Sequence, residues 1–211
     1  MFTHYLILAG LLFFAVGVGV LGGWLRRHRS KVNAEKSSRV MHFLFFAGMG
    51  VPLLIGVFYP GLTHFDELAG LKPLPWRTFF LVLGSILAIP GLYFLVITNK
   101  LLRALGSGAN AFRLTKRIVS EDVYRRTRNP MSLGFYLWTL AIGLCSGSTF
   151  ITLVVLLGWI PAHIFFLKYF EELELELRFG ESYLNTKRAF HSLSRISLQY
   201  LKCFTKDEER R

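Results

Sequence analysis

The sequence predicts an all-α, polytopic integral membrane protein with about five transmembrane helices. Three observations carry that prediction. Of 211 residues, 53% are apolar and 18% charged, against about 45–50% and 25% in soluble domains. Five apolar runs approach or reach the roughly 20 residues that cross a hydrocarbon core. The net charge of +12 is gathered into a few of the segments between them. The same composition disfavours a disulfide scaffold, with two Cys, and a disordered chain, with 20 Phe and 4 Trp.

The first span is Tyr5–Trp24, uncharged and closed by Arg26-Arg27. Its leader Met1-Phe2-Thr3-His4 has no Lys or Arg and its apolar stretch is long, so it reads as a retained helix and not as a cleaved signal. The second is Val40–Tyr59 and the third Thr78–Thr98, both uncharged. Met131–Cys145 and Phe150–Phe170 form a helical hairpin through Ser146-Gly147-Ser148-Thr149, its first arm starting near Asn129. Lys168 falls in the last turn of the second arm, where its stem can snorkel to the interface. No separate soluble domain remains. Residues 1–211 read as one membrane domain: three N-terminal spans in 1–98, a core in 99–190 and a tail in 191–211.

Charge placement orients the spans. Loop 26–39 carries six Lys/Arg, segment 99–130 eight and residues 168–211 nine, while loop 60–77 carries two. The three rich segments fall on one side of a five-span chain, which the positive-inside rule makes cytoplasmic. The N-terminus is then outside and the C-terminus cytoplasmic, in the inner membrane of a prokaryote or the endoplasmic reticulum of a eukaryote. The bilayer is the implied partner. Nucleic acid is not, because topology already accounts for the basic surplus. Cys145 and Cys203 fall on opposite sides and cannot pair within one chain. The oligomeric state is not encoded in these patterns.

Few polar residues interrupt the spans. Gly17-Val18-Gly19 and Gly48-Met49-Gly50 read as small residues for close helix packing. His163, two residues after Pro161, reads either as a functional group or as a partner for carbonyls freed by the proline. The run Glu171-Glu172-Leu173-Glu174-Leu175-Glu176-Leu177 alternates like a strand, but Leu and Glu form helices and the run continues a membrane helix. Its acids leave the membrane opposite the basic stretch Lys116–Arg128, so the two form either a solvated face or a charged pocket. No HExxH, GxSxG or DxDxDG motif occurs.

Two blocks carry a resemblance. Ile118-Val119-Ser120-Glu121-Asp122-Val123-Tyr124, followed by Arg128-Asn129-Pro130-Met131-Ser132-Leu133-Gly134, resembles the LVTxGxYxxxRHPxYxG signature of isoprenylcysteine carboxyl methyltransferases. Glu171-Glu172, then Phe179-Gly180-Glu181-Ser182-Tyr183, resembles that family's EE…FGxxY block. The likeness covers about residues 110–190, with a hairpin of the right length between the blocks.

The resemblance implies a cytoplasm-facing pocket for S-adenosylmethionine and methyl transfer to a lipophilic or lipid-anchored acceptor, such as a carboxylate. It implies that Lys116, Arg117, Ile118, Val119 and Tyr124 line the pocket and that Asn129, Pro130, Met131 and Ser132 contact the cofactor. Glu171 and Glu172 reach it from the last span, and Arg128 or Lys116 offsets the acids. Lys168 is the cation nearest to the family's substrate-side arginine, whose own position is Leu167. Asp122, Ser132, Leu167 and Thr186 depart from the pattern, mostly at substrate-facing positions. They argue for an acceptor other than prenylcysteine, or for lost activity. The alternatives are a phospholipid amine methyltransferase, a sterol-reductase-like enzyme using NADPH, and a non-catalytic membrane interaction protein. The chemistry itself needs no metal and, for a carboxylate acceptor, no general base, since that group is ionised well above a pKa of about 4.

Overall fold

Each uncharged run folds as a helix, because a chain in hydrocarbon must satisfy its own backbone. The computed structural model describes residues 2–58, 64–106, 122–125, 127, 129–185 and 187–188. Among them the order is α1 (Phe2–Arg27), α2 (Lys31–Gly56), the short α3 (Phe65–Ala69), α4 (Arg77–Leu105), α5 (Pro130–Ser146) and α6 (Thr149–Phe179). Helices α1, α2, α4 and α6 are long and apolar enough to cross a membrane. Helix α5 has 17 residues, about 26 Å at 1.5 Å per residue, close to the ~30 Å core.

Helix bounds depart from the sequence reading in three places: loop 60–77 holds the short helix Phe65–Ala69, the third span runs past Thr98 to Leu105, and the segment after the first span is helical too. Residues 26–39, read as a basic loop, are mostly helix, and only His28-Arg29-Ser30 break the chain. Ser30 caps α2, its Oγ accepting from Asn33 N at 3.1 Å. Hydropathy marks where a helix prefers lipid, not where it stops. The polar first turns of α2 remain helical because they pack on the Glu172–Phe179 end of α6.

Helices α1, α2 and α6 form one bundle. Phe14, Val18 and Leu25 of α1 are buried with Met41 and Met49 of α2 and with Ile151, Val155, Trp159 and Phe170 of α6. A Cβ at Gly48 would lie 2.6 Å from the Gly10 carbonyl oxygen, so this crossing needs glycine. Gly17 likewise abuts Leu44, whereas Gly19 faces open space.

Helix α4 packs along α5 through another glycine seam. Gly84 meets Ala141 and Cys145, Gly91 meets Leu137 and Trp138, and Gly134 meets Phe94 and Leu95. The opposite face of α4, including Ile86 and Ile89, is exposed and apolar, as a lipid-facing surface is. Helix α5 touches α6 chiefly over Thr149–Trp159, and their contact thins beyond it. The hairpin is therefore closed at its turn and parted at its other end.

The turn end is tightly bonded. Gly147 ends α5 at φ 71°, and its carbonyl accepts from Leu74 N at 2.9 Å. The buried Asp66 carboxylate of α3 accepts from Ser148 Oγ at 3.2 Å, Thr149 N at 2.9 Å and Phe150 N at 2.7 Å. An acid at a helix N-terminus satisfies orphan N–H groups and opposes the helix dipole. His4 Nε2 bonds the Phe65 carbonyl at 2.7 Å, so α1 joins the same knot.

Candidate functional site

The parted end of the hairpin begins at Asn129-Pro130. Proline suits the first turn of a helix, where its missing N–H is not needed. Asn129 is the cap, its Oδ1 accepting from Ser132 N at 3.1 Å. Its Nδ2 is then directed across the gap to Glu171 Oε2 at 3.4 Å. Two elements that the resemblance named separately, 42 residues apart, are thus brought together.

Helix α6 reaches this geometry through a π turn at Leu167–Glu171, in which Glu172 N bonds the Leu167 carbonyl five residues back. Eight residues of plain α-helix would rotate Glu171 about 80° away from His163. One residue absorbed by the π turn leaves an effective seven, within about 20° of a common face. On α5, Asn129 and Tyr136 are also seven apart. Both arms therefore present a polar group at the mouth and another two turns deeper. The deeper pair meets, with Tyr136 Oη 2.9 Å from His163 Nδ1. Of the two sequence readings of His163, the one pairing it with carbonyls freed by Pro161 is not what Nδ1 does; its partner is a side chain on the other arm.

Tyr124 stands on a short turn, Asp122–Arg125, packed against α4. Burial, and then the nearby Glu171 carboxylate, hold its phenol well above the usual range. Tyr124 is thus a neutral donor at the mouth. Ser132 and Pro130 are buried and Met131 is half-buried, all in the first turn of α5. Lys168 is exposed, in keeping with a snorkelling side chain. Lys116, Arg117, Ile118, Val119 and Arg128 lie outside the described residues, as does Thr186.

The acidic run is helical, as its composition predicts, but its acids do not form one face. Glu171 meets Asn129, and Glu172 bonds Lys187 Nζ at 2.6 Å. Glu174 is buried against Arg178 at 2.5 Å, with Ser38 of α2 also bonded to it. Glu176 is exposed. Only Glu171 is directed across the hairpin, whereas Glu174–Arg178 ties α6 to α2.

Two further residues at this level were not singled out from the sequence. The seam that sets Leu95 against Gly134 continues one turn on, placing Thr98 and Asn99 level with Pro130 and Met131. Thr98 is fully buried, and among the described residues its Oγ1 and the Asn99 Oδ1 have no hydrogen-bond partner. A buried polar atom left unpaired costs about 1–3 kcal/mol, so two together mark a place built for polar company. The one sequence signal was a Thr-Asn pair closing an apolar run.

This donor set fits a zwitterionic nucleoside ligand. Glu171 offers an acceptor for an ammonium or hydroxyl, Tyr124 a donor and a ring face, and Thr98 and Asn99 unpaired acceptors. Among the described residues no cluster of three His, Cys, Asp or Glu could hold a metal. A family model described as Phospholipid methyltransferase matches residues 79–182, just under half of the chain. The match spans α4 from its third residue and all of α5 and α6, and every candidate site residue named above lies within it. Neither the curated proteins nor the solved structures contain a match to this chain.

Proposed function

We propose, from the similarity of residues 79–182 to phospholipid methyltransferases, that this protein is a membrane methyltransferase that uses S-adenosylmethionine on a lipophilic acceptor. The observation that carries the reading is the Asn129–Glu171 bond across the parted hairpin, inside the matched segment. When bound, the donor supplies an electrophilic methyl group on a sulfonium. Glu171 accepts from its ammonium or ribose hydroxyls, and Asn129 holds that carboxylate in place. Tyr124 closes the mouth as a neutral donor, and Thr98 and Asn99 gain the partners they lack. Lys116, Arg117 and Arg128 supply cations for its carboxylate, and Ile118 and Val119 an apolar wall. The gap between α5 and α6 admits the acceptor from the bilayer, so that alignment and exclusion of water favour transfer.

The positive-inside rule favours a cytoplasmic mouth, because the mouth lies on the side of the basic segments. Two acceptor classes follow from two different observations. The family match favours a phospholipid amine, and the two sequence blocks around Asn129 and Glu171 favour a carboxylate on a lipid anchor. Calorimetric titration of detergent-purified protein with S-adenosylhomocysteine, with NADPH in parallel, tests the reading. Saturable binding of the first alone is expected. Binding of NADPH alone would move the protein to the reductase class, and binding of neither would leave a non-catalytic role.

A further inference from the structure

Where α1 meets α6, a stripe of small residues ends in a cation. Gly19, Gly22, Gly23 and Arg26 follow one another at three- and four-residue steps and so share one face of α1. Gly22 admits the Tyr169 ring of α6, since a Cβ there would lie 2.7 Å from Tyr169 Cδ1. Arg26 lays its guanidinium over that ring, 3.7 Å from the centroid. Its Nη1 is buried and, among the described residues, has no hydrogen-bond partner, nor does Arg26 form an ion pair. A charged N–H held dry without an acceptor costs more than a neutral one, so this guanidinium is set for an anion. Phe165 stacks on Tyr169 at 5.0 Å and is exposed, so the two rings wall the stripe along α6. A Cβ at Gly19 would meet no atom within 4 Å, and Leu12 and Val16 continue the same face, both exposed. The result is a groove open to lipid, apolar along its length and cationic at one end.

Two observations fix where this groove lies. Tyr169 precedes Glu171 by two residues, and residues two apart on a helix point in nearly opposite directions. The groove is therefore on the far side of α6 from the parted hairpin, apart from the cofactor and its acceptor. Trp24, exposed and stacked on His28, marks the level at which an indole meets lipid headgroups. Arg26 stands two residues beyond it, beside the exposed Arg27, Arg29 and Lys31.

We infer that this groove seats one anionic phospholipid of the bilayer as a bound structural lipid. Its phosphate sits on Arg26, and one acyl chain runs along Gly23 and Gly19 against Phe165. An arginine fork matches phosphate oxygens in geometry as well as in charge. Arg27, Arg29 and Lys31 add attraction for a headgroup of net negative charge, which a zwitterionic headgroup does not feel to the same degree. A lipid so placed bridges α1 and α6 and fastens the helix that carries Glu171.

The test counts phosphatidylglycerol and phosphatidylcholine held by the detergent-purified protein in native mass spectrometry, and titrates each lipid against the thermal unfolding midpoint. Wild type should hold one phosphatidylglycerol, with a midpoint that rises on its addition and not on addition of phosphatidylcholine. Arg26→Gln should weaken phosphatidylglycerol about tenfold or more, the loss of a charge-assisted pair. Arg27→Gln makes the same change in net charge at an exposed neighbour and should leave that affinity nearly unchanged. Gly19→Leu fills the seat of the acyl chain, so it should lower lipid retention while the lipid-free midpoint holds or rises. Equal losses in Arg26→Gln and Arg27→Gln would reveal a diffuse basic surface and overturn the site. So would equal retention of the two lipids by wild type, or a Gly19→Leu protein that holds phosphatidylglycerol as well as wild type does.

Discussion

At the turn end of the α5–α6 hairpin, the Asp66 carboxylate takes three hydrogen bonds, two of them from backbone N–H groups. At the parted end, the Glu171 carboxylate meets the Asn129 amide at 3.4 Å, beside the unpaired Thr98 and Asn99 oxygens. Both ends set a buried or half-buried acid against the start of a helix arm. At one the donors are supplied by the chain itself and the knot is closed. At the other the bond that crosses the gap joins two side chains at 3.4 Å, so a ligand can compete for it. Closure of one end lets the other stand open: a hairpin clamped at its turn can part at its mouth without losing register.

Breaking the closed end should have the largest effect. Asp66→Ala strips a buried helix cap and leaves three donors unpaired, which should lower stability by about 3 kcal/mol or more. The unfolding midpoint in detergent would show it, with nucleoside affinity of the folded fraction unchanged. Next is the seam that holds α4 to α5. A Cβ at Gly134 would lie 2.9 Å from the Gly91 carbonyl oxygen and from Leu95 N, so Gly134→Ala should cost about 1–3 kcal/mol by overpacking. A midpoint equal to wild type would mean that the two helices separate freely.

Glu171→Ala should leave the fold intact and weaken S-adenosylhomocysteine at least about tenfold, or 1.4 kcal/mol. Unchanged affinity would remove Glu171 from the cofactor shell and blur the contrast between the two ends. The smallest effect belongs to Lys168→Ala, an exposed site where stability should move by no more than about 0.5 kcal/mol. A raised KM for lipid acceptor in that variant, at constant nucleoside affinity, would place Lys168 on the acceptor's approach.

Much of this architecture was legible in the sequence, because uncharged runs of lipid-crossing length leave the backbone no alternative to helix. The hairpin, its start at Asn129 and the helical nature of Glu171–Leu177 follow from local composition and capping chemistry. What was not legible depends on distant partners. Residues 31–39 read as a basic loop because their helicity comes from packing on α6. Asp66 drew no notice because Ser148 and Phe150, more than 80 residues on, give it a role. His163 could be flagged as unusual, but Tyr136 as its partner required both arms in register. Thr98 and Asn99 ended an apolar run unremarkably, and only the glycine seam sets them level with the site.

The π turn at Leu167–Glu171 also decides how this helix tolerates changes in length. Removing one residue from inside the turn would convert it to ordinary α-helix and keep His163 and Glu171 on their common face. Removing one between His163 and Phe166 would instead swing everything beyond by about 100°, taking Glu171 from Asn129 and Glu174 from α2. A single-residue deletion should therefore be mild in one turn and ruinous in its neighbour, although both lie in the same apolar helix. Sequences of differing length in this stretch can share one site, provided that the gap falls where the π turn absorbs it.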